Sequence, residues 1–173
     1  MCCGSNADVP PQTNTAKCWA IPNMVFTIIS CIGFLGGAWV QGIGGILGLI
    51  ACSIQICCGP TKNAPNEAGK ETAAGVLYIL GAICEIGGAI LGLLIFLGIQ
   101  AAAVESCTAS WGWLSQNSVD ECVSVTVDLT AILIFPSVGL GVIAGALQVV
   151  SAFMSFKSMG ALKAGGATPT QAV

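Results

Sequence analysis

A single carboxylate, that of Glu85, interrupts the 33 otherwise uncharged residues from Thr72 to Val104. An acid at the centre of a bilayer costs about 3 kcal/mol on insertion scales, so it is kept there for one of two kinds of work. Either it binds a proton or small cation on a transport path, or it hydrogen-bonds a neighbouring helix and fixes the register of a bundle. At helical spacing its neighbours are Gly81, Ala82, Gly88, Ala89 and Gly92, a face small enough for another helix to approach closely. The carboxyl is therefore expected to meet protein. Gln148 stands on a similar face, with Gly141, Ala144, Gly145, Ser151, Ala152 and Ser155, and is the expected partner; Asn23 and Gln55 extend the same polar set. Little else in the chain supports chemistry. It has no histidine, and its 8 Asp+Glu are scattered, so the commonest general base and metal ligand are missing. We expect no catalytic residue, no metal, no cofactor and no enzymatic activity.

The elements that must hold Glu85 follow from the distribution of charge. The 173 residues are 55% hydrophobic and only 8% charged, against about 25% in a soluble domain. With 5 Lys+Arg and a net charge of -3 there is no basic face for nucleic acid. Residues 18 to 61 carry no charge; as one helix they would be about 66 Å long, twice the hydrocarbon thickness. They must double back, and Gly36-Gly37-Ala38-Trp39-Val40-Gln41-Gly42 is the expected reversal. A three-span or re-entrant path through 18–61 is the competing reading. The expected architecture is an all-α membrane four-helix bundle with spans near 19–37, 42–58, 73–103 and 129–156, making a membrane domain over 19–158. It is flanked by a tail at 1–18 and a disordered tail at 159–173. Residues 1–18 lack the apolar core of a cleavable signal peptide, so the first span acts as the insertion signal. Pro136, at the start of the fourth span, is expected to kink or cap it. Lys17, Lys62, Lys70, Lys157 and Lys163 all fall on one side of four spans, which places both termini in the cytosol of a plasma membrane or endomembrane protein.

That orientation sorts the ten cysteines. Cys107 and Cys122 fall in the connection between spans three and four, on the oxidising side, and are expected to pair and close a short outer loop. The loop also carries Trp111 and Trp113, which serve either as partner contacts or as anchors at the lipid headgroups. Cys2, Cys3, Cys18, Cys57 and Cys58 lie at the inner face, where S-palmitoylation occurs; among the candidates Cys2, Cys3, Cys57 and Cys58, the Cys2-Cys3 pair is favoured. The alternative for Cys57 and Cys58 is to close span two as small apolar residues. Residue two is not glycine, so myristoylation is excluded. Adjacent cysteines without histidine are poor zinc ligands, and Cys31, Cys52 and Cys84 are expected to pack within spans. Gly44-x3-Gly48, Gly88-x3-Gly92 and Gly141-x3-Gly145 mark close helix contacts, within one chain or between chains.

These features together resemble the tetraspanins, a family with an Asn in span one, Cys-Cys-Gly at the inner end of span two, a Glu in span three and a Gln or Glu in span four. The matching positions are Asn23, Cys57-Cys58-Gly59, Glu85 and Gln148, and Gly37-Ala38-Trp39 is similar to the family's Gly-x-Trp. The second outer loop differs, at about 24 residues rather than many tens, and in length the chain also resembles the MARVEL-type tetraspans. Claudins fit less well, since their Trp/Cys loop follows span one. The resemblance implies a non-enzymatic scaffold, or a structural subunit that stabilises a membrane complex by lateral packing against lipids and other integral membrane proteins, as a homo- or hetero-oligomer. The competing class is a small oligomeric channel or transporter using Glu85.

Overall fold

The structure, a computed structural model, describes residues 8–35, 39–113 and 115–165. Four helices account for nearly all of them: α1 (Pro11–Leu35), α2 (Trp39–Cys57), α3 (Ala68–Trp111) and α4 (Gln116–Gly165), with a 3-10 turn at Pro65–Glu67 before α3. All four are long and apolar enough to cross a membrane, and no strand occurs among the described residues. α1 packs on α2 and α4, and α3 packs on α2 and α4, while contact across the α2–α4 diagonal is slight. The result is a ring of four antiparallel neighbours. Thr13 near the start of α1 hydrogen-bonds Ser158 near the end of α4, 2.7 Å apart, so both chain ends lie at one end of the bundle, called here the terminal end.

The helices run beyond the expected spans, because charge limits a membrane segment without limiting a helix. α1 starts at Pro11, within the segment expected to be a tail. Proline suits a helix start, where its missing N–H would be unpaired anyway, and the Pro10 carbonyl accepts from the Thr13 amide. Pro22 lies inside α1. At the other terminus α4 continues to Gly165; the rest of the expected disordered tail lies outside the described residues. The reversal between α1 and α2 is shorter than expected, since Trp39 to Gly42 already belong to α2; Gly36 to Ala38 lie outside the described residues.

The largest correction concerns the expected outer loop. Residues 105–111 continue α3 and 116–128 open α4, so only four residues separate the helices. The Gly112 amide closes α3 on the Thr108 carbonyl. The Ser115 hydroxyl then accepts from the Ser118 amide at 3.2 Å, as an N-cap residue does. Cys107 and Cys122 stand at disulfide distance with Cα atoms 6.0 Å apart, and they join two helix tips where a closed loop was expected. Pro136 consequently sits well inside α4 and does not cap it.

The bundle is apolar outside and polar inside. Isoleucine, leucine, valine and phenylalanine side chains cover its surface from end to end, whereas twelve polar or charged side chains are buried among the described residues. The apolar core is made of small groups, Ala20, Ala51, Cys52, Ala74 and Ala152 around one large ring, Tyr78.

Candidate functional site

The buried positions recur at intervals of three and four: 13, 16, 20, 23, 27 and 30 in α1, and 141, 144, 148, 151, 155, 158 and 162 in α4. This is the spacing of helices that keep one seam turned toward their neighbours. Here the seam is filled by small and polar residues, and it forms a polar axis along the bundle.

From the terminal end the axis begins at Thr13 and Ser158. Below them the Lys17 ammonium donates to the Pro60 carbonyl at 2.9 Å. Next comes its best-connected group, Gln55. Its amide nitrogen donates to Glu71 Oε2 at 3.0 Å and Ser155 Oγ at 2.7 Å, and its amide oxygen accepts from the Tyr78 hydroxyl at 2.9 Å. One level on, Asn23 Nδ2 donates to Ser151 Oγ at 3.2 Å. Gln148 Nε2 then donates to the Gly44 carbonyl at 3.3 Å. The last polar layer is Gln41, whose amide donates to the Ser137 carbonyl at 3.0 Å. Beyond it the buried Phe96 packs against Phe135, half exposed on the bundle surface, with rings 5.2 Å apart.

All four expected polar residues, Asn23, Gln55, Glu85 and Gln148, are thus buried on the axis, but the expected bond between Glu85 and Gln148 does not form. The Gln148 amide is taken by the Gly44 carbonyl, and neither oxygen of the Glu85 carboxyl has a hydrogen-bond partner among the described residues. Spacing along two helices assigns faces; it leaves relative height open, and here height decides. Glu71, read from the sequence as part of the connection before span three, is buried at 1% exposure. Gln41, read as part of the reversal, is buried too, as are Tyr78 and the hydroxyls of Thr13, Thr27, Ser30, Ser151, Ser155 and Ser158. The signal that finds them is the interval of seven in Glu71, Tyr78, Glu85 and in Gln41, Gly48, Gln55.

The glycines explain how polar groups fit. A Cβ on Gly44 would stand 2.8 Å from the Gly81 carbonyl oxygen and 2.9 Å from Glu85 Cγ, and one on Gly48 would stand 2.6 Å from the Gln148 amide nitrogen. Gly88 and Gly141 leave room for the Gln41 side chain, Gly145 for Ile86, and Gly92 approaches Val138. All six expected packing glycines, Gly44, Gly48, Gly88, Gly92, Gly141 and Gly145, therefore make contacts within one chain.

At the surface, Cys57 and Cys58 are exposed and Cys18 is partly so; Cys2 and Cys3 lie outside the described residues. Cys52 is buried and donates to the Ala20 carbonyl. Trp111 and Trp113 are exposed at the hairpin tip, and the Trp113 indole donates to the Ser110 carbonyl at 3.0 Å. No group of three or more Cys, Asp or Glu side chains is placed to hold a metal among the described residues. No known protein family, curated protein or solved structure matches the chain.

Proposed function

We propose that this is a tetraspanin-like four-span membrane protein with both termini in the cytosol, and that it works as a non-enzymatic scaffold or structural subunit through lateral association with other integral membrane proteins. The observation that carries this reading is a difference in helix length. α2, with 19 residues, is about 28 Å long, a match for a hydrocarbon layer of about 30 Å. Its first residue, Trp39, lies beside Gly88, Leu91, Gly92 and Ile95, so the start of α2 reaches α3 near Ile95. α3 continues from Phe96 to Trp111, about 24 Å further, paired with the first part of α4. This hairpin still presents Leu97, Val104, Val125, Leu129, Ile132 and Leu133 outward, Leu133 at 75% exposure. The apolar stretch of α3 from Thr72 to Val104 is about 50 Å long, and a tilt of about 40°, the upper end for membrane helices, leaves about 38 Å. A bilayer matched to α2 does not cover that surface; a protein partner does.

Leu133 carrying a photoreactive side chain should give a discrete protein adduct in native membranes, while the same probe at Ile28 on α1, which is exposed at the level of the polar axis, should give lipid adducts. Lipid adducts alone at both positions would sink the association reading.

The five lysines at the terminal end support the orientation, and the exposed Cys57 and Cys58 are placed for acylation there. Mass spectrometry of protein from its native membrane should find acyl groups on Cys57 and Cys58 and a Cys107–Cys122 linked peptide under non-reducing conditions. Reduction of that link should lower stability by about 3 kcal/mol, as expected for a 15-residue separation. Free thiols at all four positions would refute both assignments.

A small oligomeric channel or transporter using Glu85 is the second reading, favoured by the unpartnered carboxyl. Against a continuous path, the buried residues of α3 beyond the level of Gln41 are apolar, Ala89, Phe96 and Ala103.

A further inference from the structure

Five buried side-chain atoms have no hydrogen-bond partner among the described residues, and all five are oxygens: Asn23 Oδ1, Glu71 Oε1, both carboxyl oxygens of Glu85, and Gln148 Oε1. Buried polar groups are normally paired, and an unpaired one costs about 1–3 kcal/mol, more when charged. All five are acceptors, groups that a proton or a bound cation would satisfy.

The deficit is greatest around Glu85. Its side chain lies against Gly44, and the Gln148 amide oxygen lies against Gly81, the glycine whose carbonyl faces Gly44. Gln148 Nε2 is committed to the Gly44 carbonyl, which leaves its oxygen as the outward group. Ser30 of α1 faces the Glu85 carboxyl without reaching hydrogen-bond geometry, and the Cys31 thiol beside it on α1 is the other titratable group near the acid. The nearby Thr27 hydroxyl donates to its own helix, to the Met24 carbonyl, and so offers only lone pairs. No lysine balances the acid: Lys17 lies at the level of Pro60 and Glu71, roughly two heptads away along the axis. The polar groups from Thr13 and Ser158 through Gln55 lead toward Glu85 from the terminal end, while the buried residues of α3 on the other side, Ala89, Phe96 and Ala103, are apolar.

We propose that Glu85, with the Gln148 amide oxygen and the Ser30 hydroxyl beside it, is an exchangeable binding site for a small monovalent cation, a proton or a sodium ion. Such a cation supplies the positive charge that the surrounding oxygens lack. The site does not depend on the scaffold reading, since an occupied Glu85 is compatible with a bundle that conducts nothing.

The test is labelling of the full chain, in mild detergent and in liposomes, with dicyclohexylcarbodiimide, which reacts with protonated carboxyls reached from an apolar phase. Glu85 should be modified, with a rate that falls at least about tenfold from mildly acidic to mildly alkaline buffer. At fixed pH, slowing of the reaction when sodium replaces choline identifies sodium as a ligand; pH dependence with no sodium effect identifies the proton alone. Glu85→Gln should lose the label and confirms its position. A Glu85 that never reacts, or reacts at one rate at every pH and in either salt, is a locked structural group and overturns the proposal. Gln148→Leu, checked for helicity and monodisperse elution, should change the pH or sodium dependence several-fold. A folded Gln148→Leu protein with the wild-type profile removes Gln148 from the site. Should that variant not fold, the wild-type series decides alone.

Discussion

Gly44→Leu is expected to prevent assembly of the bundle, with a loss of about 3 kcal/mol or more. The first atom of the new side chain would already collide with the Gly81 carbonyl oxygen at 2.8 Å and the Glu85 backbone nitrogen at 3.0 Å. Those are backbone atoms of α3, so relief requires moving α3 away from α2. Separation there also removes the acceptor of the Gln148 amide, because that acceptor is the Gly44 carbonyl. The contrasting change is Gly87→Ala. A Cβ at Gly87 meets nothing within 4 Å, and a helical glycine replaced by alanine gains about 0.5–1 kcal/mol. Thermal melts in mild detergent should place the two variants on opposite sides of the wild type. Equal behaviour would mean that the close approach of α2 and α3 is not what holds the fold.

The second large effect is expected at Gln55. Gln55→Leu removes three hydrogen bonds at once and leaves Glu71 Oε2, the Tyr78 hydroxyl and the Ser155 hydroxyl to find other partners. Hydrogen bonds between membrane helices contribute about 0.6 kcal/mol on average and up to about 1.7, so three amount to a loss of about 2 to 5 kcal/mol. Tyr78→Phe removes one of the three and should cost about 1 kcal/mol or less. Because Tyr78 acts through Gln55, the double variant should fall short of the summed single losses by several tenths of a kcal/mol. Reversible unfolding in mixed micelles measures this directly, and strict additivity would place Tyr78 outside the network.

The number of helices was legible because uncharged length is a direct measure: 44 residues between Lys17 and Lys62 exceed one crossing and suit two. The burial of Asn23, Gln55, Glu85 and Gln148 was legible for a related reason, since polar groups in an apolar segment turn toward protein. Helix ends were less accessible. Lysines and carboxylates mark where lipid ends, and they are tolerated in a helix, so Lys17, Glu105 and Asp128 all lie inside helices that were expected to stop. Glu71 was missed for the same reason: its charge closed the apolar window, although its spacing from Tyr78 and Glu85 already put it on their face. The bond partners were not legible at all. Gln148 and Glu85 share a layer of glycines, and the relative height of α3 and α4 then awards the Gln148 amide to a backbone carbonyl, a choice no side-chain pattern encodes.

An axis lined by glycine, alanine and serine draws the four helices into a slender column with a small cross-section for its height. The column exposes branched aliphatic side chains along its whole length. Under the lateral association proposed above, these aliphatic walls are the surface that a neighbouring chain would meet.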